Sequence, residues 1–359
     1  MNININSNNI NKMNKVELLV KCKELGITKC SSKNKTQLIE LIDNKLLLSA
    51  NCVINEVVAN NVANDVTNNV TNNVTNNVTN DVVIINNVEN TIIANTVNNK
   101  LKPLIKWSGG KSDEIKQFEK YLPTDYDTYI EPFIGGGSLY FYLAPTKAVI
   151  SDVHVELVDL YRSVGEGKSQ GIYNFMENNP NDEETYYKIR DKMVINDALD
   201  NAKRFYYQRK TCFRGMSRYN KNGKFNIPFG RYKTINYSDL LNTNYQALLS
   251  KTEILNESFE HVFEKYNDEK NFMFLDPPYD SEFTDYGYCQ FGKEEQKKLA
   301  KLFKETKIRC LMIIGKTKFI EELYKDYIVD EYSKKYKFKL YAGRIGDEIN
   351  TKHLVIKNY

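Results

Sequence analysis

The chain has 359 residues and a formal net charge of +4, with 41% hydrophobic residues, 25 Tyr and 17 Phe but a single Trp. That is length and apolar material for one large domain with appendages, and a charge too small to demand or exclude a polyanionic partner. Six cysteines without short paired spacing and three dispersed histidines argue against a structural zinc site.

Residues 1–12 read as a tail. From 13 to 46, Lys alternates with aliphatics at helical spacing: Val16, Leu18, Leu19 and Cys22 mark one amphipathic helix, and Leu38, Ile39, Leu41 and Ile42 a second. Leu25-Gly26-Ile27 between them reads as a C-cap glycine followed by a hydrophobic residue. This small helical hairpin resembles the SAP motif, which implies DNA binding; a module that docks a protein partner has the same pattern. In residues 47–100, Val62, Val66, Val70, Val74, Val78 and Val82 recur among Asn and Thr, which are poor helix formers. The expectation is a flexible, low-complexity tether, with a self-associating valine-striped helix as the alternative.

From 101 to 359 the texture becomes globular. Apolar, β-rich segments at 128–133, 148–152, 252–256, 272–276 and 310–315 alternate with helical stretches at 153–164, 183–211, 238–250 and 292–306. The rhythm predicts an α/β domain around a largely parallel sheet. The Arg- and aromatic-rich segment 204–236 interrupts it as an inserted subdomain would.

The segment 271–279 predicts an apolar strand ending in Asp276, followed by Pro277, Pro278 and Tyr279. Open α/β sheets bind ligands outside the carboxyl ends of their strands, where this tetrad falls. Proline removes a backbone donor, so the Asp276 carboxylate and a nearby carbonyl make two convergent acceptors, suited to an exocyclic amine with two N–H groups. Tyr279 offers a face for a flat base. Alone, the tetrad also fits a plain strand followed by a Pro-Pro turn and a core tyrosine.

Upstream, residues 129–138 read as a strand, a turn with Gly135, Gly136 and Gly137, and a helix; glycines there let the backbone approach a ligand. A second strand ends in Asp152, well placed to accept ribose hydroxyls. The turn lacks the spacing of dinucleotide and triphosphate loops. Before both lies Lys106-Trp107-Ser108-Gly109-Gly110-Lys111. Its indole and ammonium suit a ligand with an aromatic ring and a carboxylate, and S-adenosylmethionine has both.

In this order the segments at 102–359 resemble the Dam-type (D12 class, α-group) DNA adenine-N6 methyltransferases. The shared runs include Cys212–Asn220 and Phe225–Lys233, inside a target-recognition insert at about 165–250. The resemblance implies a Rossmann-like, S-adenosylmethionine-dependent methyltransferase sheet with a mainly helical insert. It implies a catalytic centre at Asp276, Pro277 and Tyr279. Cofactor contacts would come from Trp107, Lys111, Phe133, Gly135, Gly137, Asp152 and Asp276, with Ser258 and Phe259 at the adenine end. Phe259 reads equally as the hydrophobic staple of the helix that follows.

The resemblance also implies double-stranded DNA as the partner, with the target adenine flipped out of the stack. Phe213 would fill the vacated place, Arg214 standing where relatives carry Asn. Arg218 would read guanine and Lys106 would contact the other end of the site. Asn220 belongs to the same DNA-facing run, and Arg231 and Lys233 would grip phosphates. The implied site is GATC, although Arg214 and Met216 depart from the pattern. Rivals within the enzyme class are methylation of cytosine N4, RNA or protein amides; Ser before Pro-Pro-Tyr would point to cytosine N4 and Asn to protein amides, so Asp276 favours adenine. An inactive DNA-tethering protein is the rival from another class. No secretion signal and no apolar run near ~20 residues is present, so the expectation is an intracellular monomer of cytoplasm or nucleus that uses no metal. Asn and Lys richness suggests an AT-rich genome such as that of a large virus.

Overall fold

The computed structural model describes residues 13–27, 30–31, 33–39, 41–42, 45, 101–220, 222–280, 291–335 and 350–359. The chain divides into two compact units, Met1–Ile92 and Ile93–Tyr359. The expected tail and the tether at 47–100 lie outside the described residues.

In the first unit, α1 (Lys15–Glu24) opens with a capping box: Asn14 Oδ1 accepts from the Val16 and Glu17 N–H groups at 2.9 and 3.1 Å, and Glu17 accepts from the Asn14 N–H at 2.7 Å. Gly26 adopts a left-handed φ of 68°, and the Ile27 N–H reaches back to the Cys22 carbonyl, ending the helix. Residues 35–39 are helical again. Leu18, Cys22, Cys30, Leu38 and Ile42 form the core. Val16, expected on the apolar face, points outward instead and is 70% exposed.

The second unit is built on seven strands: β1 (Tyr129–Glu131), β2 (Ala148–Ser151), β3 (Thr252–Leu255), β4 (Phe272–Leu275), β5 (Arg309–Gly315), β6 (Ile328–Lys335) and β7 (Asn350–Lys357). Their order is β3-β2-β1-β4-β5-β7-β6. The first five run parallel, and β7 is antiparallel to both β5 and β6. The order reverses between β1 and β4, which makes their carboxyl ends a topological switch point. Side chains alternate between two cores. Phe272, Phe274, Leu311, Ile313 and Val355 enter one, and Met273, Leu275, Cys310, Met312, Ile314, Leu354 and Ile356 the other.

Helices cover both faces: α2 (Ile115–Phe118), α3 (Ser138–Leu143), α4 (Val155–Gly165), α5 (Ser169–Asn178), α6 (Glu183–Lys192), α7 (Ala198–Thr211), α8 (Thr243–Leu249), α9 (Phe259–Lys265), α10 (Lys293–Glu305) and α11 (Lys318–Tyr324). The stretch expected as one helix at 183–211 is two, because Asp197 caps α7 by accepting from the Asp200 N–H at 2.7 Å. The insert is mainly helical, as expected, and carries between α7 and α8 a short hairpin with bridges Cys212↔Phe229 and Tyr219↔Phe225. Among the described residues no helix is long and apolar enough to cross a membrane.

Candidate active site

Asp276 leaves the sheet at the carboxyl end of β4. Lys111, 1% exposed, donates from Nζ to Asp276 Oδ1 at 2.5 Å and to the Gly109 carbonyl at 2.7 Å. Its ammonium also stands 5.1 Å from the centre of the Tyr279 ring. Burial pushes the Asp276 carboxyl above its usual range, and the charge and hydrogen bond of Lys111 pull it back. The prolyl turn is pinned on both sides. Gln296 of α10, fully buried, donates to the Pro278 carbonyl at 2.7 Å, and the Thr317 hydroxyl donates to Asp280 at 2.9 Å. Tyr279 lies over Gly315, where a Cβ would sit 3.4 Å from its ring, and meets the His353 ring edge-on at 5.3 Å.

The Trp107 loop and the glycine turn interlock. Gly135 has φ 44°, and a Cβ on it would lie 2.6 Å from the Trp107 indole, so a side chain cannot be placed there without moving the ring. Gly137, with φ 68°, starts α3, and the Ser138 hydroxyl accepts from the Lys111 N–H at 3.1 Å. Asp152 accepts from the backbone of Gly135 and of His154, both at 3.0 Å, and burial lifts its carboxyl to about 6. Phe133 packs against Phe259 at 5.4 Å and Phe291 at 5.6 Å. Phe259 is 6% exposed and opens α9 after the N-cap Ser258. It therefore serves as a core anchor and as a neighbour of Phe133 at once.

In the insert, Lys106 is exposed and its stem lies against Gly215, whose Cβ would come within 3.4 Å of it. Phe213 is 43% exposed, with the Arg214 guanidinium 5.1 Å from its ring centre. Arg218 is exposed, its Nε donating to Asn226 Oδ1 at 2.8 Å. The Asn220 side chain is committed to the hairpin turn, accepting from the Asn222 and Lys224 N–H groups at 2.9 and 3.0 Å. Arg231 pairs with Glu183 at 3.0 Å, and Lys233 is exposed. Near its turn the hairpin is tied to α4 through the Tyr219 hydroxyl, which bonds Glu156 and lies 2.8 Å from His154 Nε2.

A family model of the D12 class N6 adenine-specific DNA methyltransferases matches residues 107–340, a span that takes in the Trp107 loop, the glycine turn, the insert and the tetrad. The chain belongs to this family. It is 61% identical over 261 residues to the type II methyltransferase M.CviBI of Paramecium bursaria Chlorella virus NC1A, covering 72% of this chain and 100% of the relative. It is 33% identical over 264 residues to the type II methyltransferase M.MjaIII of Methanocaldococcus jannaschii, covering 66% and 88%. A DNA adenine methylase of Haemophilus influenzae is 30% identical over 240 residues, covering 63% and 83%.

The chain is therefore an adenine-specific DNA methyltransferase, and its D12-class site holds residues that motif reading did not single out. Arg209 of α7, 2% exposed, stacks on the Trp107 indole at 5.1 Å and donates to the Lys106 carbonyl. It joins the insert to the Trp107 loop. Gln296 and Phe291 stand at the start of α10 and just before it, and only three-dimensional proximity brings them to the tetrad and to Phe133. Among the described residues no group of His, Cys, Asp or Glu is placed to hold a metal ion.

Proposed function

We propose that this methyltransferase moves the methyl group of S-adenosylmethionine to N6 of an adenine flipped out of double-stranded DNA, acting as a monomer at a guanine-containing site. GATC is the first candidate sequence. The observation that carries the reading is the ion pair between buried Lys111 and half-buried Asp276 at the carboxyl edge of β4, beside Tyr279.

The methyl donor's side fits the residues present. Gly135 leaves under Trp107 a space that a Cβ would fill. Phe133 and Phe259 would flank an adenine, Asp152 would reach its ribose, and Trp107 and Lys111 would face the amino-acid end. Bound there, S-adenosylmethionine supplies an activated methyl group. The chain's own residues do the rest. Lys111 counters the cost of burying Asp276 and favours its ionised form. The carboxylate and the Pro277 carbonyl accept the two N6 hydrogens, which favours a pyramidal nitrogen with a localised lone pair. Tyr279 stacks on the base and offsets part of the few kcal/mol that flipping costs. N6 loses a proton during or after transfer, with Asp276 the carboxylate beside it. The acceleration comes from positioning and directed electrostatics, with no covalent enzyme intermediate.

On the DNA side, the exposure of Lys106, Phe213, Arg214 and Arg218 supports readout by the insert, with Arg218 on guanine and Arg231 and Lys233 on phosphates. The test is to incubate the protein with methyl-labelled donor and mixed-sequence duplex DNA, then sequence the modified positions. N6-methyladenine at one recurring guanine-containing site is expected. Unmodified DNA, or label on cytosine, would overturn the reading.

A further inference from the structure

Behind the Lys111–Asp276 pair lies a second buried ionic group that the steps above leave unused. Glu114 is 3% exposed, and its N–H donates to the Lys111 carbonyl at 2.7 Å. Its Oε2 accepts from the Tyr332 hydroxyl at 2.8 Å and lies 2.6 Å from His353 Nδ1, while Oε1 pairs with Lys334 Nζ at 2.8 Å. Burial opposes ionisation of Glu114, yet the His353 hydrogen bond, the Lys111 charge and the Lys334 hydrogen bond bring its carboxyl down to about 2. An ionised carboxylate only accepts, so Nδ1 of His353 carries the hydrogen between them.

Sheet register explains the placement. Gly315, His353 and Tyr332 are direct cross-strand partners on β5, β7 and β6, so they form one row. Lys334 lies two residues beyond Tyr332 and shares its face. Tyr279 rests over Gly315 and against the His353 ring, and the His353 ring meets that of Tyr332 at 5.7 Å. The row thus runs from the tetrad's aromatic ring to a carboxylate one turn from Lys111.

We propose that Glu114 and His353 are a positioning pair for methyl transfer: together they fix the loop that carries Lys111 and the ring of Tyr279, and they set a second negative charge behind Lys111. This rests on the reading of Asp276 as the group that binds adenine N6. The charged and titratable groups facing Asp276 are Lys111, Glu114, Glu131 and His353. Burial raises the Glu131 carboxyl well above the usual range, so Glu114, on the loop that carries Lys111, is the second negative charge. Its removal makes Asp276 a weaker base and leaves Lys111 held by one anion instead of two.

The test is steady-state methylation of duplex DNA across a range of pH by the full chain and three variants, Glu114→Gln, His353→Gln and His353→Ala. Glu114→Gln should lower kcat about tenfold with KM for DNA nearly unchanged, and move the acid limb of kcat to lower pH by roughly half a unit. His353→Gln keeps a donor toward Glu114 and should retain most of kcat, whereas His353→Ala should fall to the level of Glu114→Gln. An unshifted acid limb in Glu114→Gln, or equal kcat in the two His353 variants, overturns the pair's role; should Glu114→Gln fail to fold, the His353 comparison decides. A wild-type chain that leaves DNA unmethylated overturns instead the proposed function itself.

Discussion

Lys111 and Asp276, 165 positions apart in the chain, meet at 2.5 Å with the lysine almost wholly buried. Each charge is compensated chiefly by the other, so removing one leaves the other exposed to the full cost of burial. In Lys111→Met the Asp276 carboxyl should rise further above its ordinary range. The proposed transfer needs the ionised carboxylate, and a raised pKa means protonation already at higher pH. The acid limb of kcat should therefore move to higher pH, opposite to Glu114→Gln, and kcat at neutral pH should fall about 100-fold. A kcat–pH profile checks both signs; a limb that stays in place would separate Lys111 from the charge state of Asp276.

Gly135→Ala tests the donor side. The residue has φ 44°, and the added methyl would sit 2.6 Å from the indole of Trp107. The left-handed backbone alone costs about 1–2 kcal/mol, and the ring must move as well. KM for the methyl donor should rise by about tenfold or more, near 1.4 kcal/mol of lost binding, with kcat at saturating donor little changed. Trp107 is the only tryptophan, so its fluorescence reports the displaced ring directly. Unchanged emission and KM would show that the turn tolerates a side chain.

Arg218 and Arg231 should separate specificity from grip. Losing a bidentate guanine contact costs about 1–3 kcal/mol of discrimination, so Arg218→Ala should relax the methylated sequence at one base. Arg231→Ala should weaken binding alike on all sequences and reduce the salt slope by about one. Sequencing of modified sites and titrations at several salt concentrations distinguish the two. Retained specificity in Arg218→Ala would assign the reading to another residue.

The parts of this fold visible in the sequence are those with a local signature. Five strands of the sheet fall on the apolar, β-rich runs, two of them followed directly by Asp152 and Asp276, and the glycine turn announces itself by composition. What was not visible depends on contacts across long separations. The β6–β7 pair was missed because it carries Asp330, Glu331, Lys334 and Lys352 where a buried parallel strand would be apolar. Glu114 and His353 are 239 positions apart, and no periodicity links them. By sequence Arg209 is one of several basic residues on its helix, and only its burial and its stacking on the Trp107 indole set it apart. The insert's hairpin was read as a run of contact residues, and Asn220 turned out to shape the turn itself.

The N-terminal unit offers Lys15, Lys23, Lys35 and Lys45 to solvent. If it holds DNA as its SAP-like pattern suggests, deleting residues 1–100 should weaken binding to duplex DNA and flatten its salt dependence, with kcat at saturating DNA unchanged. Identical affinity and slope in the shortened chain would assign the hairpin to a protein partner or a spacer role.

β7 is read after every other strand, yet its place is inside the sheet, between β5 and β6. On the ribosome, β6 has no neighbour to pair with until β7 is released, and Glu114 waits for His353 over the same interval. The donor-facing loops and the insert can assemble from residues made long before. A polypeptide halted ahead of residue 350 would thus lack β7, and with it the His353 ring that meets both Tyr279 and Glu114.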